Sequence, residues 1–321
     1  MFTEECHMIR HYEGGDEQAI VALWNRAMPA DPITLPLFVR RVLTDPNFDP
    51  QGVIVWEEDG AVAGFLLAVV RRLPMAGTDL EPENGWITAF AVAPEHRGRG
   101  AGSALLAAAD EFFRKTGRRR VSFSPYAPNY FLPGIDPAEY PTGKRLLEKA
   151  GFRTMSQAVA MDKELVGFRY PDDVREAERR LQGDGYVFER LTLPHLTALV
   201  RFNQEFFGPD WARAVRGGVA GSLALDRFLI ARRGRDIAGF CMYGLYDGIA
   251  ERFGPFGVHP KLQGIGLGKV LLYRCLEAMR GDGLHTAWFL WTGETSPAGH
   301  LYRRAGFHIS RRFEIMRKEG V

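Results

Sequence analysis

"VAPEHRGRGAGSALL", residues 92–106, returns in altered form as "VHPKLQGIGLGKVLL", residues 258–272. In each copy a valine and a proline close an apolar run, alternating glycines follow, and leucines at helical spacing come next. Two further pairs fall in the same order. Ala63-Gly64-Phe65 answers Ala238-Gly239-Phe240, and "RLLEKAGF" (145–152) answers "HLYRRAGF" (300–307). The offsets are 175, 166 and 155 residues, so the loops between matched segments differ in length. A period this long signals two copies of a whole domain, not a solenoid of short units.

The same order of elements reads out of both copies. In the first, an extended stretch near Met8–His11 precedes helical segments around Glu17–Ala27 and Pro36–Leu43. "GVIVWEE" and "AVAGFLLAVV" flank Asp59-Gly60, which is the signature of a hairpin turn. "GWITAFAV" reads as a central strand, and Leu105, Leu106, Ala109, Phe112 and Phe113 as one face of a helix. A strand, the helix 144–150 and the strand "SQAVAMDKEL" close the copy. The second copy repeats this and ends on "ISRRFEIMRKE". "YPDDVREAERRLQGDG" between them has helical spacing. The expected division is therefore a first domain at 1–165, a connecting helix at 166–185 and a second domain at 186–321.

Bulk properties narrow the class. The 321 residues are 46% hydrophobic and 25% charged, which is ordinary for a globular chain. A net charge of +2 gives no footprint for nucleic acid or membrane. No window approaches the roughly 18 apolar residues of a spanning helix. Cys6, Cys241 and Cys275 lack metal-site spacing, so no metal is expected and a reduced, cytoplasmic setting fits. "MFTEECHMIRHYEGG" has no apolar segment of the signal-peptide kind.

Two familiar phosphate motifs fail on the glycines. A dinucleotide fingerprint needs a third glycine where Ser103 and Lys269 stand, and a triphosphate loop needs one where Gln263 stands. What both copies satisfy is Arg/Gln-x-x-Gly-x-Gly, through Arg97, Gly100, Gly102 and through Gln263, Gly266, Gly268. Physically, a strand turns sharply into a helix whose first amides converge, and glycine removes the Cβ that would block a bulky anion. This pattern is that of the pyrophosphate loop in the Gcn5-related N-acetyltransferases, and the chain resembles a tandem member of that family along nearly its whole length.

The resemblance implies an α/β (α+β) fold for each half: a curved mixed sheet flanked by helices, with a donor arm between splayed fourth and fifth strands. It implies acetyl-coenzyme A as co-substrate, contacted by Val92, Arg97, Gly98, Arg99, Gly100, Ala101 and Gly102. The matching contacts of the second half are Phe256, Val258, Gln263, Gly264, Ile265, Gly266, Leu267, Gly268 and Lys269. It also implies a tyrosine that protonates the leaving thiolate. Tyr302 stands five residues before Phe307, as the family pattern expects, whereas Leu147 holds that place in the first half. The second half is thus the expected catalytic one, and the first is structural or only binds the donor. Thr295 departs from the family's usual Asn. For the general base, Glu251, Asp247 and Glu294 are candidates, with Glu251 preferred.

The first half adds a proline-rich, aromatic loop, "PYAPNYFLPGIDPAEYPTG". It reads either as a cap or as a wall or lid in which Tyr126, Tyr130 and Phe131 offer stacking surface. "RKTGRRR" (114–120) reads as a solvated helix end or as an acid-binding cluster. Trp288 and Trp291 hint at an apolar pocket. The expected function is transfer of acetyl to a small-molecule amine, by a monomer or homodimer. The alternative is a non-catalytic acyl-coenzyme A sensor.

Overall fold

The computed structural model describes residues 7–222, 224–246 and 248–321. Its strands and helices follow the repeat. The first copy runs β1 (His7–His11), α1 (Asp16–Ala27), α2 (Leu35–Phe38), β2 (Val53–Glu58), β3 (Ala61–Val69), β4 (Asn84–Val92), α3 (Ala101–Lys115), β5 (Arg120–Phe123), α4 (Pro141–Lys149) and β6 (Arg153–Glu164). After α5 (Asp172–Gly183), the second copy runs β7 (Tyr186–Arg190), α6 (Leu193–Phe206), α7 (Pro209–Ser222), β8 (Phe228–Arg233), β9 (Asp236–Tyr243) and β10 (Phe253–Val258). It closes with α8 (Leu267–Gly281), β11 (Thr286–Thr292), α9 (Pro297–Arg304) and β12 (His308–Glu319). Asp59 and Gly60 both take positive φ, +50° and +78°, as the two-residue turn between β2 and β3 requires.

The chain divides into two compact units. One holds residues 1–74, 78–158 and 312–321, the other 75–77 and 159–311. These units therefore do not coincide with the repeats. β6 begins in the first unit and ends in the second; β12 does the reverse. As a result β5 pairs antiparallel with β12, Phe123 opposite Met316, and β12 rather than β6 is its neighbour. In the second unit β11 pairs antiparallel with the end of β6, Thr286 opposite Glu164. Each repeat has lent its last strand to the other's fifth.

Within the first unit the sheet order runs β1-β2-β3-β4-β5-β12, antiparallel except for the parallel β4–β5 pair. Val53, Val55, Phe65 and Leu67 face a core with α1, while Ile54, Trp56 and Leu66 face one with α3. With both faces covered, β2 and β3 read as nearly unbroken apolar runs. The second unit repeats the two-sided packing on β10-β9-β8-β7, with α8 on one face and α6 and α7 on the other.

Candidate functional site

β4 of the first unit ends at Val92, and a 3-10 turn, Pro94–His96, leads into the glycines. Gly98 and Gly100 have φ of +80° and +90°, which side-chain-bearing residues rarely adopt. A Cβ on either would meet nothing within 4 Å. The glycines are there for the backbone, and the space in front of them is open. Gly100 N-caps α3 without any side-chain cap, so the first-turn amides and the positive end of the helix dipole face that space. At Gly102 the reason is crowding: a Cβ would lie 2.7 Å from Leu146 of α4.

The flanking cations are engaged with the fold. Arg97 donates through Nε to the Val92 carbonyl at 3.2 Å and through Nη2 to the Ala27 carbonyl at 3.0 Å, bracing the turn. Arg99 donates to Glu58 at 3.3 Å, and His96 lies 2.7 Å from the same carboxylate. Burial pulls the Glu58 carboxyl up, but Trp56, His96 and Arg99 outweigh it and hold it below the usual range.

β4 and β5 pair only from Asn84–Arg120 to Ile87–Phe123; beyond that β4 continues without β5. A register shift against β3 makes Thr88 the extra residue of a bulge. There a cavity of about 690 Å³ opens, walled by β4, the glycine turn, α4 and the 131–135 segment. Thr88 lines it and is 6% exposed. Tyr140 donates to Asp31 at 2.5 Å, and both line the same cavity. Leu147 is wholly buried.

The aromatic loop is fixed in place. Tyr126 is 1% exposed, donates to Asp45 at 3.1 Å, accepts from Asn47 at 2.8 Å, and lies under the Arg71 guanidinium. Burial, then the Asp45 charge, pushes its phenol well up. Tyr126 therefore offers no stacking surface, which at this residue counts against the wall-or-lid reading of the loop. Phe131 does form a wall, packed 4.7 Å from Trp24, and Tyr130 is held by Arg41 at its carbonyl. The 114–120 cations serve the fold: Arg118 donates to the Glu81 and Arg71 carbonyls, and Lys115 and Arg120 pair with Glu111 and Glu83.

In the second unit the turn geometry recurs. Gly264 and Gly266 have φ of +86° and +96°, and Gly266 N-caps α8 with no side-chain cap. A Cβ at Gly268 would lie 3.3 Å from Val258 and 3.4 Å from Phe256. Gln263 ends the turn before these glycines, and Leu267 is buried in the core. Here α5 approaches. Arg180 donates to the Ile265 carbonyl at 2.6 Å and lies 3.4 Å from where a Gly266 Cβ would sit. Lys269 pairs with Asp173, whose carboxyl that bond lowers. Neither contact was legible in the motif, because both partners lie over 80 residues upstream.

Tyr302 is 6% exposed in an aromatic nest, 4.5 Å from Phe289, 5.9 Å from Phe253 and 6.0 Å from Phe256. Its hydroxyl meets no hydrogen-bond partner among the described residues, and burial pushes its phenol well up. Glu251 is half-buried in the turn just before β10, where its carbonyl accepts from Trp288 at 3.1 Å. Asp247 lies outside the described residues. The Glu294 carbonyl accepts from Arg303, Trp288 lies under Arg252, and Trp291 is exposed. The β10 bulge contains Pro255, which has no N–H to offer, where the first unit has Ala89.

Comparison with known proteins agrees with this geometry. Residues 18–131 match the Acetyltransferase (GNAT) family, and residues 224–309 match an Acetyltransferase (GNAT) domain. A mycothiol acetyltransferase of Amycolatopsis mediterranei is 26% identical over 296 residues, covering 85% of this chain and 89% of the relative. One from Kineococcus radiotolerans is 27% identical, covering 79% and 77%. Among solved structures, a GCN5-related glucosamine N-acetyltransferase region of a fungal multi-domain beta-N-acetylglucosaminidase superposes with a TM-score of 0.81 at 17% identity. That match covers 98% of this chain and 38% of the fungal one. A tandem GNAT protein from the clavulanic acid biosynthesis pathway gives 0.65 at 18%, covering 98% of each chain. Two glycine turns on two such folds, each within a matched family segment, make the chain a tandem member of the GCN5-related N-acetyltransferase family.

Proposed function

We propose that the protein is an acetyl-coenzyme A-dependent N-acetyltransferase whose acceptor is a small-molecule amine. The observation that carries this reading is the first unit's cavity, about 690 Å³, opening directly onto an uncapped helix start. Converging amides suit a diphosphate, apolar walls suit the pantetheine arm, and the volume is that of a ligand pocket. The relatives named as mycothiol acetyltransferases and the glucosamine-acetylating neighbour support a small amine as acceptor. In the reaction the neutral amine attacks the thioester carbonyl carbon, the C–S bond breaks, and the nitrogen loses its proton while the thiolate gains one.

We assign proton donation to Tyr302, and with it turnover to the second half, the first half holding donor or serving as support. Its unpartnered hydroxyl supports this assignment, and Glu251 is the base we assign beside it. Tyr302→Phe keeps the ring and its packing. It is expected to lower turnover by about 10²–10⁴-fold with coenzyme A affinity nearly unchanged. Thiol release from acetyl-coenzyme A over a library of amines, measured on both proteins, tests this. Equal turnover would move the acid elsewhere.

The alternative, an acyl-coenzyme A sensor without turnover, draws support from the second unit. There Arg180 and the Lys269–Asp173 pair crowd the glycine turn. Donor binding without thiol release on any amine would favour it.

A further inference from the structure

We infer that Lys163 is an acylation site of this protein, where the ε-amine takes an acyl group from an acyl thioester. The inference goes beyond the acetyltransferase reading, because the step uses neither glycine turn. A comparison of the two repeats brings it out.

β6 and β12 end alike, on "MDKE" (161–164) and "MRKE" (316–319), so Lys163 answers Lys318. Each lysine passes the glycine that follows the last helix of its unit. A Cβ on Gly151 would lie 3.7 Å from the Lys318 side chain, and one on Gly306 2.8 Å from the Lys163 amine. The difference is the counter-ion. Lys318 pairs with Asp110 of α3 at 2.5 Å. At the matching place on α8 stands Leu276, 0% exposed in the core. Lys163 is half-buried and makes no hydrogen bond or ion pair among the described residues.

No other group takes over from Asp110. Asp162 and Glu164 lie on the opposite face of β6, where Asp162 meets His308 at 2.8 Å. Ala287 stands opposite Lys163 on β11. Glu277 of α8 and Arg303 and Arg304 of α9 form no ion pair with it. Met161, on the same face of the strand, is 1% exposed, so the Lys163 stem runs outward along the core. Burial without a counter-ion pulls the amine below the usual lysine value. The chain's six other lysines lack this combination. Lys115, Lys144, Lys269 and Lys318 are ion-paired, and Lys149 and Lys261 are exposed.

A neutral amine is a nucleophile, and an ammonium is not. The Lys163 lone pair attacks the thioester carbonyl carbon, the N–C bond forms and the C–S bond breaks. The nitrogen gives its proton to water, and the departing thiolate takes one up. The amide carries no charge, so its burial avoids the cost that opposed the ammonium.

The full chain is incubated with S-acetyl-N-acetylcysteamine, and separately with acetyl-coenzyme A, from pH 7 to pH 10. Peptide mass spectrometry follows acetylation at each lysine. At pH 7 Lys163 is expected to react at least about 3-fold faster than Lys149, Lys261 and Lys318, the lead closing toward pH 10 as the others lose their protons. Asp110→Asn puts Lys318 in the position of Lys163. It is expected to speed Lys318 at least about 3-fold at pH 7 and to leave Lys163 unchanged. Lys163 labelling no faster than the exposed lysines, or following their pH profile, overturns the inference. So does an unchanged Lys318 rate in Asp110→Asn, or labelling by acetyl-coenzyme A but not by the small thioester. Absence of turnover on every amine would sink the acetyltransferase reading and leave this site standing.

Discussion

Gly100 and Gly266 show how single residues set the glycine turns. Each begins a helix at positive φ with open space beyond, so Gly100→Ala is expected to cost about 1–2 kcal/mol in unfolding free energy through backbone strain alone. Gly100→Asp adds a carboxylate facing bound phosphate and is expected to abolish binding at the first site, read as a loss of coenzyme A stoichiometry by calorimetry. The residue scale also marks the limit of reading sequence. The glycines and Tyr302 stand out because a short local pattern surrounds them. Asp31 and Tyr140 are 109 residues apart and Thr88 is one threonine in an apolar strand, so only folding brings them to one cavity. Leu147 is the quieter counterpart of Tyr302. It is fully buried on the inner face of α4, and its replacement by Ala is expected to cost about 2–5 kcal/mol in a denaturant melt, with no signature in turnover at Tyr302.

At the scale of elements, β12 is the informative strand. Glu314 on it accepts from Lys144 of α4 at 2.8 Å and from Thr154 of β6 at 2.6 Å, all within the first unit. Burial alone would raise its carboxyl, but those two bonds hold it below the usual value. A depressed folded pKa stabilises above the unfolded pKa, about 4.3, and that contribution fades as pH falls through the folded value. Glu314→Gln is therefore expected to cost about 1 kcal/mol near pH 7, a figure discounted for partial exposure, and progressively less below about pH 4. Thermal melts of both proteins between pH 3 and 7 would show the gap closing; a constant gap would mean the charge is not involved. Hairpins, central strands and helices were legible because hydrophobic period and turn chemistry are local. The exchange of β6 and β12 was not, because both are extended runs after a Gly-Phe, and either pattern fits beside either fifth strand.

For the whole molecule, the exchange means that neither repeat contains all the strands of one compact unit. A chain ending at residue 311 keeps the complete first repeat yet lacks the partner of β5 and the buried Met316. Such a chain is expected to lose amide-exchange protection at 121–123 and to lose donor binding in the first unit. Supplying residues 306–321 as a separate peptide should restore part of both. Retained protection would mean that β6 takes the place of β12. The repeat announced two folds of one kind from three matched segments; how the chain is partitioned between them is a property of pairing, which no single segment carries.

That pairing also imposes a timetable on synthesis. β5 leaves the ribosome 193 residues before Met316, the difference between Phe123 and its partner in the ladder. At about 5–20 residues per second, its open edge waits roughly 10–40 s for the last strand to be made. During that interval an apolar sheet edge is available to any other nascent strand, the hazard that edge strands carry generally. Slowing elongation in the second repeat would lengthen the wait without changing one amino acid, and the yield of active protein would fall with it.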